Sequence, residues 1–178
     1  AVPNHQPERS ACSPRTANSR SDRSWVGGVD LGEHYGVTGM ELHPVGQTLE
    51  ARKSWFMFDD EIVALGAGIA SSDGVATETV VENRKLAPAG DNVFTVDGVA
   101  KPTTAGWSET MVDAQWMHLA GNVPGADIGY YFPDGATVRG QRETRTGTWK
   151  QVNSSSAWGS TTPYTRNYLS LSVDHGVN

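Results

Sequence analysis

Apolar and polar side chains alternate with a period of two along most of the chain after residue 24. This is the spacing of a β-strand with one buried face, and no window of about 11 residues shows the stripe of an amphipathic helix. Turn residues separate the runs at intervals of roughly ten residues, which is typical of an antiparallel sandwich. The pattern predicts an all-β fold, an antiparallel β-sandwich, with strands at residues 35–43, 48–58, 61–69, 75–85, 114–119, 127–132, 136–150 and 166–175 and a short hairpin within 91–99.

Residues 1–23 lack this pattern and divide the chain in two. They are rich in Ser, Asn and Arg, a composition that buries too little apolar surface to fold alone. We expect residues 1–23 to be a linker or disordered N-terminal segment, and residues 24–178 to be one β-sandwich domain. A second interpretation is an arm that contacts an anionic substrate or a neighbouring domain, because the segment contains Arg9, Arg15, Arg20 and Arg23.

The positions of the aromatic residues predict which strand faces are covered. In residues 48–58 both faces become apolar toward the C-terminal end, so we expect that end to be covered on both sides. Alternation favours a buried Trp116, whereas Trp158 lies in a Ser- and Gly-rich stretch and is expected to be exposed. The histidines His34, His118 and His175 are interpreted as structural residues.

Composition and charge exclude several classes of protein. A net charge of −6 argues against nucleic-acid binding, although a local basic groove for a polyanionic sugar can lie on an acidic protein. No stretch approaches the roughly 20 apolar residues of a membrane span. Cys12 is the only cysteine, and no metal-ligand spacing and no phosphate-binding glycine loop occurs, so we expect no metal and no cofactor.

The run RKSWFMFDDEIVALGAGI at residues 52–69 carries the most specific signal in the chain. It resembles the central-domain signature of the polysaccharide lyases that cleave hyaluronan, chondroitin or xanthan, and most of all the bacterial hyaluronate lyases. The resemblance implies a galactose-mutarotase-like β-supersandwich, of which residues 24–178 form the first part. Further pieces agree in order, namely SWVGG at 24–28, GVTGM at 36–40, TVVENR at 79–84, IGYYFP at 128–133, GTW at 147–149 and residues 171–176.

The same resemblance implies how these enzymes act. They cleave beside a uronic acid by β-elimination: the carboxylate is neutralised, a base removes the C5 proton, and an acid protonates the leaving oxygen. An Asn, a His, a Tyr and an Arg on an N-terminal helical toroid fill these roles, so we expect no catalytic residue in this chain, which lacks a toroid and stops where the family's sheet continues. The implied partners are that toroid and an anionic polysaccharide, with hyaluronan first, and the implied location is extracellular in a bacterium.

In this family the sandwich forms one wall of the substrate cleft, so its loop residues are the candidates for contact with sugar. His43 and Gln47 lie in the turn after the first predicted strand, where the family has such a loop; the alternative is an ordinary hairpin loop. Glu82, Asn83 and Arg84 form a second group, in which the Arg and Glu could hold a carboxylate partner. The alternative for this group is an ion pair at the edge of a sheet.

Two charged runs have less specific interpretations. Asp59-Asp60-Glu61 supplies oxygen ligands for a cation, unless it is a solvated turn. Arg139, Arg142, Arg145 and Lys150 could line a groove for a polyanion, unless they lie on a solvated strand face.

Besides a component of a lyase, two other functions remain open at this point. One is a non-catalytic carbohydrate-binding module that holds sugar through exposed aromatic and basic residues, and the other is a structural domain without affinity for sugar. The tryptophans considered for stacking on sugar are Trp107, Trp116, Trp149 and Trp158.

Overall fold

The computed structural model describes residues 21–152 and 159–177. Within these ranges the chain is almost entirely β-structure in two antiparallel sheets, which confirms the predicted fold class. Most of the predicted linker and the predicted exposure of Trp158 lie outside the described residues. The elements are β1 (Val26–Asp30), β2 (Tyr35–Leu42), β3 (Glu50–Phe58), β4 (Glu61–Ala70), β5 (Glu78–Lys85), β6 (Phe94–Val96), β7 (Val99–Ala100), β8 (Ser108–Leu119), β9 (Ile128–Gly147), α1 (Trp149–Val152) and β10 (Tyr164–Asp174).

The described chain falls into two compact units, one with residues 21–77 and 175–177 and the other with residues 78–152 and 159–174. The first unit is a meander in which each strand pairs with the next, in the order β1-β2-β3-β4. Asp59 in the β3–β4 turn has a left-handed φ of 43°, which Asp tolerates because its short polar side chain can bond to nearby backbone. The antiparallel pairing of β3 with β4 confirms the hairpin predicted around Asp59-Asp60.

The four-stranded sheet buries little apolar surface. Among its described residues, Ala51 is the one hydrophobic side chain that is buried, while Val26 and Ile62 are each more than two-thirds exposed. Met57 and Phe58 at the C-terminal end of β3 are also exposed, so the expectation that this end is covered on both sides is wrong for this chain. The reason is that β2 and β4 satisfy the backbone of β3 from its two edges but cover neither of its faces.

The second unit is a six-stranded sheet with the order β5-β10-β9-β8-β6-β7. One face holds a continuous core in which Phe94, Met117, Val138 and Leu169 are fully buried. Phe94 meets Trp107 edge to face, with ring centroids 6.1 Å apart, and Trp107 lies over Gly140, where a Cβ would collide with the indole. This core gives the second unit the buried apolar surface that the first unit lacks.

Strand β9 runs without reversal through a stretch that the sequence predicted as a turn. Residues 132–135, which contain Pro133-Asp134-Gly135, lie opposite a single residue of β8, between the pairs Ala114–Ala136 and Trp116–Tyr131. Gly135 has a φ of 70°, so the turn residues produce a bulge rather than a hairpin. The two strands predicted at 127–132 and 136–150 are therefore one strand, which ends at Gly147 before the single helical turn of α1.

Strand β8 departs from simple alternation. Its buried side chains Met111, Ala114 and Met117 are three residues apart because the register with β9 shifts twice, once on each side of Ala114. These shifts turn both Gln115 and Trp116 outward. The predicted burial of Trp116 is therefore wrong, since its side chain is 46 % exposed.

Candidate functional site

The predicted turn with His43 and Gln47 follows β2 in the four-stranded unit. The Gln47 N–H donates to the Pro44 carbonyl at 3.1 Å, which closes the turn, and the Asp22 N–H donates to the His43 carbonyl at 3.0 Å. The His43 N–H in turn donates to Ser21 Oγ at 3.1 Å. The turn is thus fixed by the segment that precedes β1.

The imidazole of His43 is surrounded by carboxylates. Its Nδ1 lies 2.6 Å from Asp22 Oδ1, and its Nε2 lies 4.0 Å from Glu50 Oε1. Arg23 Nη2 donates to the same Glu50 oxygen at 2.8 Å. The His43 ring is partly buried, so it is committed to this network more than it is presented to solvent. An imidazole beside an Asp can donate to a sugar hydroxyl through its second nitrogen.

Glu82, Asn83 and Arg84 lie on β5, which is an edge strand of the six-stranded sheet. Glu82 is the centre of this group: the Tyr130 hydroxyl donates to its Oε2 at 2.6 Å, and the Arg84 Nε donates to the same oxygen at 3.1 Å. Its other oxygen accepts the backbone N–H of Asn83 at 2.8 Å. The Glu82 side chain is only 14 % exposed, so it holds its neighbours in place and is not itself open to a ligand.

Tyr130 reaches Glu82 from β9 and is partly buried against the core. Burial, followed by the hydrogen bond to Glu82 and then by the negative charge of that carboxylate, raises the pKa of the Tyr130 phenol, because each disfavours a phenolate. Tyr130 therefore stays protonated and remains a donor across the ordinary pH range. The Arg84 side chain is 43 % exposed, against 14 % for Glu82. Of these two charged residues, Arg84 is therefore the one that a carboxylate in solution can approach.

Asn83 points to the opposite face of β5 and belongs to a second network. Arg145 Nη1 donates to Asn83 Oδ1 at 2.7 Å, and its Nη2 donates to Ser170 Oγ at 2.8 Å. The same guanidinium pairs with Glu143 and lies over the Tyr168 ring at 4.4 Å. Arg145 is thus held on four sides, and Asn83 contributes to fixing it.

The two candidate groups lie in different units, so the geometry of each stands alone. Asp59, Asp60 and Glu61 do not converge on one point: the described residues contain no cluster of three His, Cys, Asp or Glu side chains that could hold an ion. Asp59 instead pairs with His34, at 2.9 Å from its Nδ1.

The predicted basic run does not form one groove. Arg142 is fully buried and donates to the carbonyls of Gly90 and Asn92 at 2.9 and 2.6 Å. Arg145 is held by the network of Asn83, while Arg139 is exposed. Alternation on a strand places Arg142 on the face opposite to the other two.

Comparison with known proteins identifies the fold of this chain. Residues 2–178 match the family model described as polysaccharide lyase family 8, super-sandwich domain. The chain belongs to polysaccharide lyase family 8. The resemblance drawn from residues 52–69 is confirmed, and the chain corresponds to the sandwich portion of these lyases.

Several family 8 lyases are similar to the chain over most of its length. A xanthan lyase of Bacillus sp. (strain GL1) is 56 % identical over 149 residues, and a hyaluronate lyase of Thermasporomyces composti is 41 % identical over 155 residues. The structure of a Paenibacillus xanthan lyase superposes with a TM-score of 0.89 at 62 % identity, covering 94 % of this chain and 16 % of that one. These two alignments include 83 % and 87 % of this chain, but only 16 % and 19 % of the length of the xanthan lyase and the hyaluronate lyase. No helix in the described ranges has the length and apolar character needed to cross a membrane.

Sequence reasoning missed the residues that hold the family 8 candidate groups in place. The sequence places Tyr130 in a predicted strand and in a run that resembles the family, but not beside Glu82, which its hydroxyl reaches across 48 positions of sequence. Asp22 and Ser21 were placed in the predicted linker, yet they hold the His43 turn. The sequence does show that Glu82, an acid in a predicted strand, needs hydrogen-bond donors if it is buried. It does not show that Tyr130 is one of them, because that depends on the order of the strands in the sheet.

Proposed function

We propose that this chain is the sandwich component of a lyase that cleaves a uronic-acid-containing polysaccharide by β-elimination. The observation that carries the proposal is the match of residues 2–178 to the super-sandwich domain of polysaccharide lyase family 8. The groups that remove and deliver protons lie on a helical domain outside these residues, and the sandwich forms one wall of the cleft. Secretion from a bacterial cell is part of the same proposal.

The substrate is an anionic polysaccharide. The sequence signature at residues 52–69 favoured hyaluronan, whereas the higher identity belongs to a xanthan lyase, at 56 % against 41 % for a hyaluronate lyase. We therefore propose xanthan as the first substrate to test, with hyaluronan as the second. Both carry uronate carboxylates, so the chemistry asked of the sandwich is the same.

Within this wall, Arg84 is the residue that we propose for contact with a carboxylate. Its exposed guanidinium is oriented by Glu82, which is itself fixed by Tyr130. Asn83 acts on the other face by positioning Arg145. An Arg that is pre-oriented by a buried acid loses less side-chain freedom on binding a carboxylate than a free Arg does.

The turn at His43 and Gln47 is proposed as a second contact, through hydrogen bonds to sugar hydroxyls. The surroundings of His43 suit a hydroxyl better than a carboxylate, because two acids, Asp22 and Glu50, share the single cation Arg23 and leave a net negative charge beside the ring. We therefore expect Arg84 to bind a uronate carboxylate of the polymer and the turn at His43 and Gln47 to bind sugar hydroxyls.

The test is a chimera of the Bacillus xanthan lyase in which its aligned 149 residues are replaced by those of this chain. Lyase activity is followed by the ultraviolet absorbance of the unsaturated uronate product, on xanthan and on hyaluronan in parallel. We expect the chimera to cleave xanthan and the isolated 178-residue chain to cleave neither polymer. The unmodified xanthan lyase is the control for assay conditions.

A folded chimera that cleaves neither polymer would contradict the proposed function. An isolated chain that generates unsaturated product, with activity lost on heating, would contradict the placement of catalysis on another domain. Within an active chimera, Arg84→Ala is expected to raise KM with little change in kcat, and Arg84→Lys is expected to restore part of the loss.

A further inference from the structure

Trp116 and Tyr131 form an open aromatic surface on the six-stranded unit. They are direct partners across the β8–β9 pair, and their side chains are 46 % and 66 % exposed. The neighbouring residues Met117 and Tyr130, also partners of each other, point to the core on the opposite face. Two large aromatic residues therefore share the outer face of the sheet.

The indole of Trp116 lies down on the sheet rather than projecting from it. The far edge of its six-membered ring covers Gly129, where an added Cβ would collide with three ring atoms. One ring face is thus covered by the backbone of β9, while the other faces solvent. The absence of a side chain at Gly129 is what allows this orientation.

The backbone of Trp116 is held in place by the β6–β7 turn. The Trp116 N–H donates to Asp97 Oδ1 at 2.8 Å, and the Asp97 N–H donates to the Trp116 carbonyl at 2.8 Å. The Gln115 N–H also donates to Asp97 Oδ1, at 3.2 Å. These bonds fix the irregular stretch of β8 that turns Trp116 outward, so the ring is oriented before any ligand arrives.

The rim of this surface is polar. His118 lies two residues beyond Trp116 on β8, on the same face and opposite Gly129, and its Nε2 is 3.0 Å from Asp127 Oδ2. The Gly121 N–H donates to the other Asp127 oxygen at 2.9 Å. These bonds, that from Gly121 first, lower the pKa of the Asp127 carboxyl, so it remains an anion at neutral pH.

We propose that the Trp116–Tyr131 surface binds pyranose rings of the polysaccharide through their apolar C–H faces, at a site separate from Arg84. The inference rests on the proposed function, because a lyase domain is where a sugar chain is available. A pyranose offers a flat apolar face bordered by hydroxyls, which matches an open indole, a phenol and a polar rim. The anionic Asp127 at that rim disfavours a uronate there, so the surface takes the ring faces of the less charged sugars in the chain.

The test measures binding of the 178-residue chain to xanthan and hyaluronan by affinity electrophoresis, which does not depend on catalysis. We expect Trp116→Ala and Tyr131→Ala each to weaken binding by at least roughly tenfold, and Trp116→Phe to weaken it less. Gly129→Ala keeps the indole but pushes it off the sheet, and it should also weaken binding. Trp25→Ala is the matched control, because Trp25 is exposed and covers Gly39 in the other sheet, and it should bind as the parent does.

Parent-like binding by folded Trp116→Ala and Tyr131→Ala variants would overturn this proposal, as would an equal loss in Trp25→Ala. Failure of the parent chain to bind either polymer would overturn it as well. The proposed function is judged separately by cleavage in the chimera: an active chimera with no effect of Trp116→Ala on polymer binding refutes the surface alone. An inactive chimera that still binds through Trp116 refutes the lyase assignment and leaves the surface standing.

Discussion

The hydroxyl of Tyr130 donates to the carboxylate of Glu82 over 2.6 Å, joining β9 to the edge strand β5. The two residues are not neighbours in the sheet, since β10 lies between their strands. This bond fixes the Glu82 carboxylate that orients Arg84. The orientation of Arg84, the proposed contact with substrate, therefore depends on Tyr130, which is not proposed to touch the substrate.

Replacing Tyr130 by Phe tests this bond and its pH dependence. We expect a loss of about 1–3 kcal/mol in the free energy of unfolding at neutral pH, because a charged acceptor loses a partly buried donor. The pKa of Tyr130 is raised in the folded state above its ordinary value of 10.0, so its contribution is complete below that pH and declines as pH rises above it. Urea unfolding between neutral pH and about pH 11 should show a flatter alkaline decline in Tyr130→Phe than in the parent.

Arg142 should be among the most sensitive positions for stability. Arg142→Ala leaves the carbonyls of Gly90 and Asn92 without their donors and opens a cavity, at an expected cost of about 3 kcal/mol. Arg139→Ala, on the same strand but exposed, should change stability by less than about 0.5 kcal/mol. Chemical denaturation of the two variants gives the comparison, and equal effects would show that burial of Arg142 is not what matters.

Asp97 should control the orientation of Trp116. Asp97→Ala removes the acceptor for the backbone N–H of Trp116. It also places an alanine, which has no polar side chain to bond to nearby backbone, at a φ of 48°. We expect it to lower the free energy of unfolding by about 1–3 kcal/mol. Asp97→Asn keeps an acceptor oxygen and tolerates this φ, so it should cost under about 1 kcal/mol. The near-ultraviolet circular dichroism of the tryptophans should change only in Asp97→Ala, and a parent-like spectrum would count against the role of Asp97.

The exposed four-stranded sheet should cause self-association of the isolated chain. Its edge strand β4 carries Ile62, which is more than two-thirds exposed, and apolar sheet edges pair with other chains. Ile62→Lys should reduce the concentration dependence of sedimentation velocity. Val112→Lys, at an equally exposed position of β8, should leave it unchanged. A parent chain that sediments as a monomer at every concentration would refute this prediction.

Much of the fold was predictable because β-structure leaves a local pattern. The Asp-Asp pair at 59–60 predicted the β3–β4 hairpin, and the run of alternating residues before His175 predicted β10. The errors in predicting burial arose where a register shift interrupts the alternation of inward and outward side chains along a strand. In β8 two such irregularities turn Trp116 outward, and no propensity of the residues around it signals them.

The candidate site was predictable only as separate groups of residues. That Arg84 lies beside Glu82 follows from their spacing on a strand, and the alternative of an ion pair at a sheet edge is present in the structure. Whether either meets substrate stays a prediction. The contacts of Glu82 with Tyr130 and of Asn83 with Arg145 depend on sheet order, which alternation along a single chain does not encode.

The six-stranded unit begins and ends at the same place. Glu78 at the start of β5 is the cross-strand partner of Asp174 at the end of β10, and just outside them the Thr77 N–H donates to the Gly176 carbonyl at 3.0 Å. A segment whose two ends are adjacent can be exchanged without altering the path of the chain around it. Residues 78–174 can therefore be exchanged as one segment between family 8 lyases while the rest of the recipient chain is left as it is.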